Sequence, residues 1–131
     1  KNRETVKDKA VKMIKQNDSE LIFSNELNDR FVKKAVEVIN SNISNSLFGK
    51  EEFASAMNVS SSLLYKKIKA LTGQSPTDFI KIIRLNYSLE LLQSRKYTVT
   101  EVSELAGFSS IGYFSTVFKK HFGKSPTEIL S

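Results

Sequence analysis

Two stretches of this chain share one pattern of apolar and polar positions, fifty residues apart. In SSSLLYKKIKAL, residues 60–71, Leu64, Ile68 and Leu71 recur at i, i+4 and i+7, which predicts a helix with one apolar face. The opposite face carries Ser61, Ser62, Tyr65, Lys66 and Lys69 and no acid. In SIGYFSTVFKKHF, residues 110–122, Phe114, Phe118 and Phe122 form the stripe and Lys119 and Lys120 supply the charge. Thr72-Gly73-Gln74-Ser75-Pro76 follows the first stretch and Phe122-Gly123-Lys124-Ser125-Pro126 the second. A stop-turn-start signature that occurs twice reads as an internal repeat rather than as two unrelated amphipathic helices that end in glycine.

Other helices are predicted around this pair. Residues 3–17 place Val6, Ala10, Met13, Ile14 and Asn17 on one face; so short and lightly apolar a helix is marginal alone and reads as a linker helix. Residues 18–27, DSELIFSNEL, break the helical period and read as linker, with Leu21-Ile22-Phe23 as a short extended piece. From Asn28 the spacing of Phe31, Ala35, Val38, Ile39 and Asn42 predicts a helix ending near Ile43, followed by a Ser/Asn-rich loop. Gly49 opens a short helix with acids in its first turn, where the helix dipole favours them, and with Phe53, Ala54 and Met57 facing inward. Asn58-Val59-Ser60 is the tight connection to the first key helix. Asparagine tolerates a left-handed backbone and serine caps the next helix, so the chemistry of a helix-turn-helix is in place.

Gly73 closes that helix. Ser75 and Pro76 start a connecting helix, with Asp78 completing the capping pattern. It runs to about Ser94 and carries Phe79, Ile82, Ile83, Tyr87, Leu91 and Leu92 over a wide arc, as suits a helix buried between two lobes. At 1.5 Å per residue it is about 28 Å long. Thr98-x-x-Glu101 is a capping box for the next helix, with Val102, Leu105 and Ala106 inward; Gly107-Phe108-Ser109 makes a second turn, and Ser125-x-x-Glu128 opens a last short helix. Gly107 matches Asn58 while Phe114 matches Leu64, so the second unit has one extra residue between its turn and its stripe. The expected fold is all-α: two helix-turn-helix subdomains, residues 49–72 and 98–123, joined by a long buried connecting helix over 75–94. Residues 28–131 are read as one domain and 1–27 as a lead-in from a missing upstream domain, because the chain begins at Lys1 rather than Met.

Composition narrows the chemistry. The 131 residues include no cysteine, which removes disulfides, thiolate metal sites and a cysteine nucleophile. The one histidine, His121, has no partner for a metal site and reads as a surface or phosphate-side residue. No catalytic residue, metal ligand or cofactor motif is visible, and no apolar run approaches a membrane span. The net charge of +6 invites a polyanion, and its distribution says where. Residues 60–124 hold ten basic and four acidic side chains, so the whole excess falls on the repeated unit.

With these pieces in place, FASAMNVSSSLLYKKIKALTGQSPTDFIKIIRLNYSLELLQ followed by TVTEVSELAGFSSIGYFSTVFKKHFGKSPTEI resembles the AraC/XylS-type DNA-binding domain. The resemblance covers roughly two-thirds of the chain, and LAGF, FKKHFGKSP and LTGQSP are its most specific parts. DRFVKKAVEVINSNI, ahead of it, resembles the helix that precedes this domain in response regulators and hybrid two-component sensors. The resemblance implies a cytoplasmic transcription regulator that binds double-stranded DNA, with each half placing its second helix in the major groove and an upstream receiver or sensor domain in the full-length chain. It implies no membrane contact by this part.

The resemblance places base contacts near the start of each such helix. In the first half it points to Ser60, Ser61, Ser62, Tyr65, Lys66 and Lys69. Ser62 and Tyr65 suit base edges, Lys66 either guanine O6/N7 or a phosphate, and Lys67 and Lys69 solvent or phosphate. In the second half it points to Ser109, Ser110, Ile111, Gly112, Ser115, Thr116, Lys119 and Lys120. There the chain departs from the family, which often has arginine where Thr116 stands. Gly112 offers no side chain and Ile111 only an apolar contact, whereas Lys119, Lys120 and the helix start suit phosphate. An enzyme is the first rival: some DNA-repair methyltransferases carry such a module, but they need a cysteine acceptor that this chain lacks. A basic helical module that binds an acidic protein is the second; it accounts for the charge but not for the duplicated capped turns.

Overall fold

Each helix of the second half of the chain starts where the sequence supplies a hydroxyl, and those that begin at Ser61, Pro76 and Ile111 stop at a left-handed Gly73, Arg95 and Gly123. The computed structural model describes the backbone from Asp18 to Ser131 and the side chains from Asn25. Among these residues the helices are α1 (Asp18–Ser41), α2 (Lys50–Ala56), α3 (Ser61–Thr72), α4 (Pro76–Ser94), α5 (Val99–Leu105), α6 (Ile111–Phe122) and α7 (Pro126–Leu130). The all-helical expectation holds for them. The linker helix expected over 3–17 lies outside the described residues. Residues 18–27 do not form an extended linker: the backbone is already helical at Asp18 and stays so to Ser41. No glycine or proline interrupts that run, and continuing a helix is far easier than starting a new one.

The chain divides into two units, residues 1–34 and 35–131. In the second, Ser60, Ser75, Thr98, Ser110 and Ser125 each accept a hydrogen bond from the backbone N–H three residues on, at N3 of α3, α4, α5, α6 and α7. Glu101 and Glu128 return the bond to the cap backbone, completing two capping boxes. That bond to the Ser125 backbone is the main reason the Glu128 carboxyl titrates below its ordinary value. Asp78 does not complete the box expected at α4; its carboxylate lies 3.6 Å from the Lys81 ammonium instead.

The repeat is visible in three dimensions. Gly73 and Gly123 end α3 and α6 at φ of 79° and 80°. Asn58 and Gly107 occupy the two turns at φ of 61° and 84°, as their matching in the sequence predicts. From Asn58 to the cap Ser60 is one residue fewer than from Gly107 to Ser110, so the second turn is longer while the helices after it keep the same register.

The long helix α4 packs against α2 and α3 on one side and α5 and α7 on the other. Around its C-terminal half, Leu85, Leu92, Val102, Ala106, Phe108, Phe114 and Phe118 form one core cluster. Phe108, Phe114, Phe118 and Phe122 continue as a ladder of rings with successive centroids 4.9, 5.5 and 4.6 Å apart. Leu64, Ile68, Phe53, Ala54 and Met57 are buried in the first half. The predicted stripes are therefore core at Leu64, Ile68, Phe114 and Phe118, where burial contributes about 1.5–3 kcal/mol each, while Leu71 and Phe122 at their ends are half-buried.

Of the apolar residues read on α4 only Leu92 is fully buried, Phe79, Ile82, Ile83, Tyr87 and Leu91 being half-buried. The reading misses Ile80, Leu85 and Ser88, which are buried, and Arg84, which is 7% exposed. Nη1 donates to the Gly107 carbonyl at 2.6 Å, and Nη2 to the carbonyls of Asn45 and Phe48 at 2.8 and 3.2 Å. One side chain thus joins the loop before α2 to the turn of the second half. Burial pulls its pKa down from the ordinary arginine value, yet a guanidinium stays charged at any physiological pH. Nearby, Ser44 Oγ donates to the Leu105 carbonyl at 2.6 Å.

A Cβ at Gly107 would collide with the Ile43 carbonyl oxygen and press on Arg84. Gly107→Val should therefore cost more than about 3 kcal/mol, combining the clash with an unfavourable backbone angle. Asn58→Gly should cost under about 1 kcal/mol. Urea melts of the two variants check the difference, and equal stabilities would contradict it. Arg84→Met should cost about 2–4 kcal/mol by leaving buried carbonyls unpaired, and Arg84→Lys should recover little because one ammonium does not span three acceptors in this geometry. Thermal melts that leave Arg84→Met within about 1 °C of wild type would contradict the staple.

Candidate nucleic-acid interface

The outer face of α3 begins at its cap. Ser60 Oγ accepts from the Leu63 N–H at 3.1 Å, which leaves its hydroxyl proton free to donate outward. Ser61, Ser62, Tyr65 and Lys66 come next at spacings that keep them on one side of the helix, and all are exposed. Tyr65 shows half its surface. The four line a cleft of about 590 Å³ with Lys50 and with Ser75 to Thr77 from the start of α4. Lys69 is set apart: its Nζ lies 3.4 Å from the Gly73 carbonyl, a weak C-cap at the far end of the helix. Lys67 is half-buried.

The second half repeats the frame with different chemistry. Ser110 Oγ accepts from the Tyr113 N–H at 3.1 Å. Ser109, Ser110, Ile111, Gly112, Thr116, Lys119 and Lys120 are exposed, and Ser115 is half-buried. The Thr116 hydroxyl donates to the Gly112 carbonyl at 3.0 Å, one turn back, so its proton is already used within the helix. His121 is exposed, edge-on to the Phe122 ring.

Two positions that the sequence reading passed over belong to this surface. Leu63 and Tyr113 stand three residues after the two matching caps, and each leaves more than two-fifths of its surface exposed. The signal was present in the sequence: both are large side chains at one register, outside the apolar stripes. Charge needs a correction as well. Of the ten basic residues counted on the repeat, Arg84 is interior, and Arg95 is tied to the Leu130 carbonyl at 2.6 Å. Arg84 is thus removed from the outward cationic surface, whereas Arg95 stays exposed and charged.

Two exposed, polar, identically capped helices, each preceded by a short helix and a tight turn, have the geometry that places a helix in the major groove. A family model described as a helix-turn-helix domain matches residues 53–131. The chain belongs to the AraC-type helix-turn-helix family. Histidine kinase P4 of Formosa agariphila is 34% identical over 110 residues, which are 84% of this chain and 8% of that protein. Among solved structures, the C-terminal domain of AraT, a response regulator from Geobacillus stearothermophilus, superposes with a TM-score of 0.70 at 34% identity, over 76% of this chain and 83% of that one. The DNA-binding domain of AdpA, solved in complex with a target DNA, superposes with a TM-score of 0.66 at 25% identity, over 77% and 86% of the two chains. This chain thus spans a small fraction of the histidine kinase but most of the solved AraC-type domains.

Contacts to bases and contacts to phosphates leave different signatures in binding. Lys66→Ala should cost on the order of 1–3 kcal/mol and relax discrimination at one base pair, as loss of a guanine contact does. Lys120→Ala should weaken binding to every sequence alike and flatten the salt slope by about one unit. Fluorescence-anisotropy titrations on specific and scrambled duplexes distinguish them. Equal losses on both duplexes for Lys66→Ala would reassign it to phosphate.

Proposed function

We propose that residues 28–131 are the DNA-reading domain of a transcription regulator, with α3 and α6 lying in successive major grooves of one duplex. The observation that carries this reading is the matched presentation of the two helices. Both start at a serine cap and both end at a left-handed glycine after 12 helical residues, and α4 joins them, packing on α3 directly and meeting α6 through α5 and α7. At 1.5 Å per residue α4 spans about 28 Å, close to the one-turn separation of successive major grooves, about 34 Å. The family is one of DNA-binding regulators rather than enzymes.

On this reading the first element is read through Ser61, Ser62, Tyr65 and Lys66, which bring hydroxyls and an ammonium to base edges. Ser60 and Ser110, together with Ser109, Lys69, Lys119 and Lys120, hold phosphates. The second half contributes Ile111, Gly112, Ser115 and Thr116, a poorer set of hydrogen-bonding groups, so its element tolerates more sequence change. The similarity to a histidine kinase and to a response regulator supports an upstream receiver or sensor domain in the full-length protein, with residues 1–27 leading from it, and the cytoplasm as the place of action. Among the described residues no helix is long and apolar enough to cross a membrane.

A site with two short elements about ten base pairs apart, centre to centre, should bind best. Inserting about five base pairs between them turns the second element to the opposite face of the duplex, and affinity should then fall toward that of the first element alone. Gel-shift titration of the two duplexes tests this, and an insertion that leaves affinity unchanged would overturn the rigid bipartite arrangement.

A further inference from the structure

Between the two halves lies a second cleft, of about 190 Å³, with Arg84 and Lys81 on its α4 wall and Ser109 and Tyr113 on its far rim. Lys50 and Thr77 line this cleft and also the one in front of α3. The two hollows therefore meet, forming one groove from Ser61, Tyr65 and Lys66 to the start of α6. We infer that the middle of this groove is a phosphate clamp for the DNA strand that crosses between the two elements, with the Lys50 and Lys81 ammonium groups as its cations and the Thr77 hydroxyl as a further donor. The inference rests on the bipartite DNA reading proposed above.

Three observations carry it. No carboxylate lines either cleft among the described residues. The nearest acid with an ion-pair contact is Asp78, which meets Lys81 at 3.6 Å on an exposed surface, a contact that a strand phosphate can outcompete. Behind them Arg84 bonds to carbonyls rather than to a carboxylate, so no acid neutralises its charge beneath the groove. Geometry supplies the third: helices that read successive major grooves on one face leave a run of backbone phosphates opposite the middle of the protein. Lys50 and Lys81 stand there, on α2 and α4 rather than on either reading helix. A phosphate held at this point fixes the spacing of the two halves on the duplex without reading any base.

The test uses the chain with a duplex carrying both elements, and the variants K50Q/K81Q and K50R/K81R. Both lysines are on the surface, and matching melting curves confirm intact folding. K50Q/K81Q should lower the salt slope by about 0.9 per lost phosphate contact, equivalent to about eightfold in affinity per contact at about 0.1 M salt, equally on specific and scrambled DNA. K50R/K81R should bind like wild type. Neutral methylphosphonates placed between the elements should weaken the wild type and leave K50Q/K81Q unchanged. If K50Q/K81Q keeps the wild-type slope and affinity while the wild type discriminates between duplexes, the clamp is wrong and the DNA reading stands. A wild type that does not discriminate overturns both. Pyrophosphate titrated into the chain alone should bind no tighter than millimolar. Micromolar binding that is lost in K50Q/K81Q would make a free phosphorylated molecule, not the DNA strand, the occupant.

Discussion

A guanidinium hidden from water must place its hydrogens on acceptors or lose several kcal/mol, and Arg84 places both terminal nitrogens on backbone carbonyls from two separate parts of the fold while its buried Nε has no partner. Asn45 and Phe48 belong to the loop before α2, and Gly107 to the turn between α5 and α6. Because backbone rather than side chains is held, the positions of whole turns are set. Gly107 has no Cβ where one would strike the Ile43 carbonyl; the glycine serves the left-handed turn and this approach together. Were Arg84 replaced by an apolar side chain of similar size, α4 would still pack against both halves, but the hydrogen bonds that tie the loop before α2 to the second turn would be lost.

On the bipartite reading proposed above, that registration matters because each half presents only a few groups for base edges. The first presents two serines, a tyrosine and a lysine; the second presents an isoleucine, a glycine and a threonine whose proton is already engaged. An asymmetric pair of this kind gains specificity from spacing. Linking two weak sites rigidly makes the second encounter intramolecular, and the advantage disappears if the geometry does not fit. The ring ladder from Phe108 to Phe122 anchors α6 in the core even though its outer face is chemically plain.

The middle groove extends the same logic to charge. Lysines at the ends of α3 and α6 act locally, whereas Lys50 and Lys81 lie between the halves, over an interior arginine compensated only by dipoles. Placed there, cations favour one path of the strand across the protein and contribute through counterion release rather than through base identity.

Much of this protein is determined by local chemistry, and for that reason it is legible in one sequence. Caps at Ser60, Ser75, Thr98, Ser110 and Ser125 need only a hydroxyl and a backbone N–H three residues away. The left-handed turns at Asn58 and Gly107 need only residues that tolerate positive φ, and the stripes Leu64/Ile68 and Phe114/Phe118 need only helical periodicity. Local signals were weaker for α1, where a run without breakers continued as helix through residues that look like a linker. Tertiary structure alone decided the rest. Whether an arginine on α4 faces water or an inter-lobe seam depends on residues 39 and 23 positions away that no period connects. Whether Leu63 and Tyr113 face the core or the outside depends on which arc of each helix its neighbours cover. The groove uniting Lys50, Thr77 and Lys81 exists only because α2 and α4 pack together, since burial and charge focusing are properties of the assembled surface rather than of any one segment.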